Sequence, residues 1–444
     1  MSPPVRETLY VRFHPERCQG CASCLKVCPT KAIRIRGRKS LCLVDRCIGC
    51  GACIAACAAG AITAAVHPVE GIGAGHTAIA LVSPVLYAQF PNVMPRDVLK
   101  ALRRLGFHHT VDSSIFLEMF QFAAAEFIRR NRTAGEAPWP LISPVCPAVV
   151  RLIAFKFPRL LAHVLPVLRP VALMAREVRE TLLPRVAARG RPVVLYYINP
   201  CPTMGATRTP PGAHAVRLTE VSIGINELYP ALRRAVEEAV AEAEPFGREG
   251  FEFETCTTGN ASLVAMSGGE IATMRIEASM AVSGMQETTA YLSKIEMGLF
   301  RDVEYFELRT CREGCLGGVL NAADKYLAKS NIHRMIHIYG LGRRIPRQSI
   351  LKLYDRGRFR PDQSPLALAE IFADRKPPLT LAQAAEIERL LGELPGYGCG
   401  ACGAPDCPTF AEDVVRGLAE RADCVWLSAG TRESRGRGRR DESR

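Results

Sequence analysis

Two cysteine runs stand near the start of the chain. Cys18, Cys21, Cys24 and Cys28 are spaced C-x2-C-x2-C-x3-C before Pro29, and Cys47, Cys50, Cys53 and Cys57 repeat that spacing before Ala58. Three thiolates on one tight loop can hold three corners of an iron–sulfur cubane, and a fourth from a distant point closes it. Zinc is the alternative for any four-thiolate set, but its sites use two separated pairs, not an unbroken run. Near the other end stand Cys399-x2-Cys402-x4-Cys407-x16-Cys424, where Gly398, Gly400 and Gly403 are expected to let the backbone wrap closely around an inorganic body. Spacing alone leaves both a cubane and four-thiolate zinc open there. Between the bursts lie Cys146, Cys201, Cys256, Cys311 and Cys315. Isolated cysteines are commonly small buried hydrophobes. Only Cys311-x3-Cys315, followed by Leu316-Gly317-Gly318, suggests a turn that admits something bulky to the backbone. Cys42, outside both runs, reads as a small buried residue.

The scaffold for these ligands is legible in outline. The chain has 444 residues, 48% of them hydrophobic, enough for two or three cores. Thr77–Ser83 and Pro192–Asn199 are short, apolar and bounded by proline or polar residues, as buried strands are. Helical periodicity runs through Pro95–Leu105, Ser114–Arg130, Val171–Leu183, Ile225–Ala243 and Thr289–Leu299. Strands alternating with helices imply α/β layers with parallel pairs. Polar, glycine-containing 67–76 separates this body from the first burst, and a second break falls at 376–378. Beyond it, helices are expected at Leu379–Leu394 and at Phe410–Arg421, the latter returning Cys424 to its set. The expected domains are 1–66, 75–375 and 376–429, with an Arg-rich tail, 430–444, that has no apolar residue to bury and reads as disordered.

The net charge of +13 is uneven: residues 329–360 carry +8 and the tail +3. The 329–360 segment reads either as solvated surface or as a landing site for an acidic partner. No nucleic-acid signature accompanies the charge, so nucleic acid is not an expected ligand. Residues 1–30 contain Arg6, Arg12, Arg17 and four cysteines and no apolar stretch, so no secretory leader is expected. The best apolar run, near 78–90, is broken by Ser83 and Pro84, short of the roughly 18 residues a membrane span needs. Clustered cysteines in a chain of this size imply a reducing compartment; the expectation is a cytoplasmic protein with no membrane association.

The paired runs resemble the bacterial two-cluster ferredoxins, in which the fourth cysteine of each run ligates the other cluster. That resemblance assigns one 4Fe-4S cluster to Cys18, Cys21, Cys24 and Cys57 and the other to Cys47, Cys50, Cys53 and Cys28. The string GCGACGAPDCPTFAEDVVRGLAERADC resembles the small iron–sulfur domain that ends some sensory hydrogenases, which implies a further 4Fe-4S cluster. SPVCP (143–147), NPCP (199–202) and ELRTCREGCLGG (307–318) are similar, in the same order, to three signature segments of the iron-only (FeFe) hydrogenase catalytic domain. AMSGGE (265–270) and AVSGMQ (281–286) continue the similarity. The nearest arrangement is the sensory or regulatory branch of that family.

This resemblance implies an α/β, two-lobed central domain between an α+β ferredoxin-like module and a small helical iron–sulfur module. It implies a cubane on Cys146, Cys201, Cys311 and Cys315, with Cys315 bridging to a diiron unit that carries carbon monoxide, cyanide and a dithiolate. Pro84 matches the proline that lines the diiron pocket. Cys256 matches no ligand. The sequence also departs from the pattern. Catalytic members relay protons through a cysteine where this chain has Val145, which carries none. A lysine that donates to iron-bound cyanide is replaced by Met204; Arg208 is the expected substitute. Two flanking methionines are replaced by Asn199 and Arg309, and Glu126, whose neighbours do not align with the acid of the family's proton path, reads as a solvated helix carboxylate, with that acid as the alternative. The expected function is slow, reversible hydrogen cleavage of the sensory type; the alternative is a non-catalytic electron carrier or redox sensor with four cubanes and no diiron unit. Expected partners are a redox protein such as ferredoxin, a signalling protein, and hydrogenase maturation proteins. No kinase, PAS or phosphatase segment follows residue 430, so a signal is expected to leave through redox state, conformation or a separate protein.

Overall fold

A computed structural model describes residues 10–187, 190–204, 221–242, 258–342, 345–362, 364–367 and 378–428. Arg208, Cys256 and the tail 430–444 lie outside the described residues. The chain divides into two compact units. One combines N-terminal residues through 47 and 52–63 with the C-terminal segment; the other holds 48–51 and the long central stretch from 64.

In the smaller unit, β1 (Val11–Phe13) pairs with β4 (Ile62–Ala64), and β2 (Ile33–Arg36) forms an antiparallel hairpin with β3 (Lys39–Cys42). The hairpin turn is the pair Gly37-Arg38, both at positive φ (54° and 62°), which gives the twist that two-residue hairpins favour. The short helices α1 (Ser23–Val27) and α2 (Ala52–Ala55) occupy equivalent places in the two cysteine runs.

The larger unit holds two parallel sheets. The first, ordered β6-β5-β8-β9, comprises β5 (Thr77–Val82), β6 (His109–Asp112), β8 (Val193–Asn199) and β9 (Val221–Gly224). The second, ordered β10-β11-β7, comprises β7 (Leu141–Ile142), β10 (Ser279–Ser283) and β11 (Tyr305–Arg309). Every residue of β5 is buried, as expected for a parallel strand covered on both faces. Its side chains alternate between two cores: Ile79 and Leu81 join one with Phe116, Phe120 and Leu173, whereas Ala78, Ala80 and Val82 join another with Leu99, Leu228 and Ile332. Helices α4 (Pro95–Arg104) and α9 (Ile225–Ala241) pack together in the second core, and α5 (Ser114–Ala134) contributes to the first. The helix expected at 171–183 is instead α7 (Pro170–Glu177), a π turn over Val178–Leu182 and α8 (Leu183–Ala187). Pro184 has no N–H to donate back along the helix, which accounts for the widened turn. Helix α12 (Lys325–Tyr339) starts at the Asp324 cap. Among the described residues, no helix is long and apolar enough to cross a membrane.

The smaller unit is completed by α14 (Leu381–Glu393) and α15 (Cys407–Val415). A reciprocal capping box of Thr380 and Gln383 starts α14. The expected helix at 410–421 begins three residues earlier, capped by Asp406, and stops at Gly417, whose φ is +71°. Leu418 N–H to Asp413 O (2.7 Å) and Gly417 N–H to Val414 O (3.0 Å) close a Schellman end. Buried Asp413 accepts from Arg34 Nε and Nη2 (2.9 Å) and from Arg36 Nη2 (3.3 Å), and Glu412 accepts from Arg46 (3.1 Å). Ile35 N–H donates to Gly403 O at 2.9 Å. A Cβ on Gly403 would lie 2.0 Å from Ile35 O, so this glycine admits strand β2, not an inorganic body as its spacing suggested. Gly398 and Gly400 do border the cysteines.

Candidate metal centre

Four thiols of the larger unit stand just past the carboxyl ends of parallel strands. Cys146 follows β7, Cys201 follows β8, and Cys311 and Cys315 follow β11. Crevices at this edge are where open α/β sheets bind ligands. Here two sheets present their edges to one cavity of about 410 Å³, lined by all four cysteines and by Val145, Met204 and Arg309. Cys50, from the 48–51 loop that belongs to this unit, lines it as well. The Gly317-Gly318 turn brings the loops together: a Cβ on Gly318 would lie 2.4 Å from Pro200 O, and one on Gly317 2.0 Å from Arg312 O. What the turn admits is neighbouring backbone, which draws Cys315 toward Cys201.

Burial and repulsion from neighbouring thiols push Cys311 to about 12 and Cys315 to about 11, with Arg309 opposing in both, and raise Cys201 well beyond its ordinary range. Metal binding by these three must release protons. Among the described residues, no three His, Cys, Asp or Glu side chains converge as a single-ion site; the cysteines line cavities instead.

A second cavity, about 510 Å³, adjoins the first and shares Val145, Met204, Pro200 and Cys315 with it. Pro84 lines it. Its other walls include Arg169, Tyr197, Ser83 and Ser113, none of which sequence reading singled out. Arg169 precedes Pro170 at the start of α7, and Tyr197 lies on β8, two residues before its end. Arg-Pro before a helical pattern was the only available signal, and it is weak.

Asn199 lines neither cavity. Its amide donates to Ser222 Oγ (2.7 Å) and Ile223 O (3.0 Å), tying β8 to β9, so it does not flank the site as its alignment implied. Arg309 does line the cysteine cavity. It donates to Glu270 Oε2 (2.7 Å) and Glu307 Oε1 (3.2 Å), while its Nη1 is buried without a partner. Glu270 also accepts from Ser143 (3.0 Å) and Tyr305, and burial pushes its carboxyl up to about 7 against the pull of Arg309. Glu126 is not a solvated carboxylate: it is buried on α5 between Arg129 (2.6 Å) and Arg130 (2.7 Å), whose hydrogen bonds hold it below its ordinary range.

In the smaller unit, thiols of the two runs stand side by side. Cys24 is pushed up to about 12 by burial and by Cys18, Cys21 and Cys57 beside it. Cys28 feels Cys47, and buried Cys42 hydrogen-bonds Cys47 and feels Cys28 and Cys53. Cys42 is therefore a structural neighbour of the second set. The two closing cysteines have equivalent environments: Ala32 N–H donates to Cys28 Sγ and Ala61 N–H to Cys57 Sγ, both at 3.2 Å. Cys399, Cys402, Cys407 and Cys424 line a cavity of about 310 Å³ with Gly398 and Gly400.

Residues 76–274 match the family described as iron only hydrogenase large subunit, C-terminal domain; residues 10–58 match a 4Fe-4S dicluster domain, and 394–426 match an Fe-S cluster family. The first match contains Cys146 and Cys201 and stops before Cys311 and Cys315. Among solved structures, an FeFe-hydrogenase described in terms of oxygen inactivation through its H cluster 2Fe subcluster aligns with a TM-score of 0.49 at 16% identity, covering 68% of this chain and 95% of that one. A variant of the FeFe-hydrogenase HydA1 from Chlamydomonas reinhardtii aligns at 0.48 and 16% identity, covering 63% and 89%. An apo form of another HydA1 variant aligns at 0.48 and 15%, covering 65% and 91%. No curated protein sequence matches the chain.

Proposed function

Since the chain is an iron-only-hydrogenase-like protein with iron–sulfur modules at both ends, we propose that it works as a sensory-type FeFe hydrogenase. In this reading Cys146, Cys201, Cys311 and Cys315 hold a cubane, and the adjoining cavity holds a diiron unit reached through Cys315. The observation that carries it is the pair of cavities sharing Cys315, the second lined by Pro84 and by buried polar atoms with no protein partner. When bound, such a unit supplies the reversible cleavage of dihydrogen into two protons and two electrons.

The residues of this chain set the terms of that chemistry. Val145 lines both cavities and holds no proton. Turnover is therefore slow, as suits a protein that reports hydrogen instead of consuming it. Cys50 lines the cubane cavity and is the proposed exit for its electrons. The Cys399/Cys402/Cys407/Cys424 cluster is then a port for a redox or signalling partner. Lys329 pairs with Glu313 (2.8 Å) and Arg358 with Glu177 (2.7 Å), so part of the positive charge of 329–360 serves the fold, and the rest is the proposed surface for an acidic partner.

Infrared spectra of anaerobically purified protein, matured with the diiron cofactor, test this reading. Carbonyl and cyanide bands are expected. Their absence would favour the alternative, a redox protein with four cubanes and no diiron unit, for which Val145 and Met204 speak.

A further inference from the structure

We infer that the cavity beyond the four cysteines binds an anionic group rich in hydrogen-bond acceptors, and that Arg169 is the residue that holds it. Four polar atoms of its walls, Arg169 Nη1, Tyr197 Oη, Ser83 Oγ and Ser113 Oγ, are out of solvent and have no hydrogen-bond partner among the described residues. Folded proteins pair the great majority of such atoms, so four orphans around one cavity point to a missing ligand. Tyr197 and Ser113 are themselves 1% and 2% exposed. A tyrosine hydroxyl is a donor at neutral pH.

Charge selects the kind of ligand. Arg169 is positive at any working pH. Among the described residues no carboxylate pairs with it: its electrostatic neighbours are Arg151, of like sign, and Tyr197, Cys201 and Cys146. Arg169 is half-buried as a residue, but its Nη1 is out of solvent; a desolvated guanidinium nitrogen without a counter-charge is costly, and the cost is met when an anion enters. Proline at the first position of α7 and helical backbone behind it fix Arg169 at the cavity wall. Met204, on the same cavity, offers a thioether and no donor. Arg169, at the start of α7, supplies a donor on the cavity wall that Met204 does not. This deepens the hydrogenase reading and rests on it: the anionic acceptors are then the cyanide ligands of the diiron unit, and Arg169 positions them.

The test uses full-length protein with its cubanes in place and a synthetic diiron compound carrying cyanide, carbonyl and a bridging dithiolate. Retained compound and the cyanide stretching bands are compared for the wild type, Arg169→Leu, Arg169→Lys and Arg169→Leu/Met204→Lys. Loss of a charge-assisted hydrogen bond predicts about tenfold to hundredfold weaker retention and shifted cyanide bands for Arg169→Leu. Retention close to the wild type is expected for Arg169→Lys, and partial recovery for the double variant. Cubane electron paramagnetic resonance confirms that each variant folds; should Arg169→Leu fail there, Arg169→Lys and the double variant decide. Unchanged bands and retention in the variants overturn the role of Arg169 and leave the hydrogenase reading standing. No uptake by the wild type overturns both, leaving Arg169 as a counter-charge to the cubane thiolates.

Discussion

Replacing Asp413 by asparagine removes the one carboxylate shared by two arginines of the hairpin. Arg34 and Asp413 side chains are each 1% exposed, joined through Arg34 Nε and Nη2, the latter at 2.9 Å, with Arg36 adding a 3.3 Å contact. Breaking a buried pair from one side costs about 3–5 kcal/mol, because the surviving charge stays out of water. Arg34 Nη1 still donates to Lys31 O (2.8 Å) and Ile33 O (2.9 Å), so the lower end, about 3 kcal/mol, is expected. At 1.4 kcal/mol per tenfold, that raises the open population of α15 about a hundredfold. Amide hydrogen exchange on anaerobic, full-length protein reads this directly, through peptides spanning 407–415 and 33–42. Arg34→Leu/Asp413→Leu, which leaves no charge behind, should recover most of the loss, and the cycle of single and double variants measures the coupling. Exchange in 407–415 unaltered by Asp413→Asn would refute the reasoning and assign the packing to the apolar cluster around Phe410.

Three further outcomes are expected. Glu270 has a folded value of about 7, above its ordinary 4.5, so its contribution to stability is complete below about pH 4.5 and is lost as the pH rises through about 7. A loss on the order of 3 kcal/mol, read as a falling melting midpoint, should be flattened by Glu270→Gln. Val145→Cys restores a proton carrier to the wall between the cavities and, on the proposed function, raises hydrogen oxidation about 10²-fold or more in a dye-reduction assay; no gain would argue for the non-catalytic alternative. Gly318→Ala places a methyl against Pro200 O, forcing the Cys201 and Cys315 loops apart; on the proposed function, the electron paramagnetic resonance of the cubane held there should be lost while the signals of the smaller unit persist.

Neighbouring thiols were legible from the repeated run: Cys57 stands beside Cys18, Cys21 and Cys24, and Cys47 beside Cys28. Strands β5 and β8 were equally plain, since buried parallel strands are unbroken apolar runs. Helix ends were less so. The stop at Gly417 and the π turn before Pro184 depend on single residues whose effect is local, and amphipathic periodicity runs past them. The second cavity was opaque for a different reason. Arg169, Tyr197, Ser83 and Ser113 come from four separate segments, each unremarkable alone, and only the parallel order of strands brings them to one wall. Glu126 and Asn199 mark the converse limit, because a residue's place in a pattern does not reveal which neighbour claims its hydrogen bonds.

The ion pair between Arg34 and Asp413 joins residues 379 positions apart. At a synthesis rate of roughly 5–20 residues per second, the hairpin leaves the ribosome on the order of 20–75 s before its carboxylate partner exists. During that interval three arginines destined for partial or full burial, Arg34, Arg36 and Arg46, face water. The nascent N-terminal half must persist on its own thiol sets while the whole parallel-sheet body is being made. A chain cut short anywhere before residue 407 never receives Asp413, and keeps an exposed cationic hairpin that marks it as unfinished.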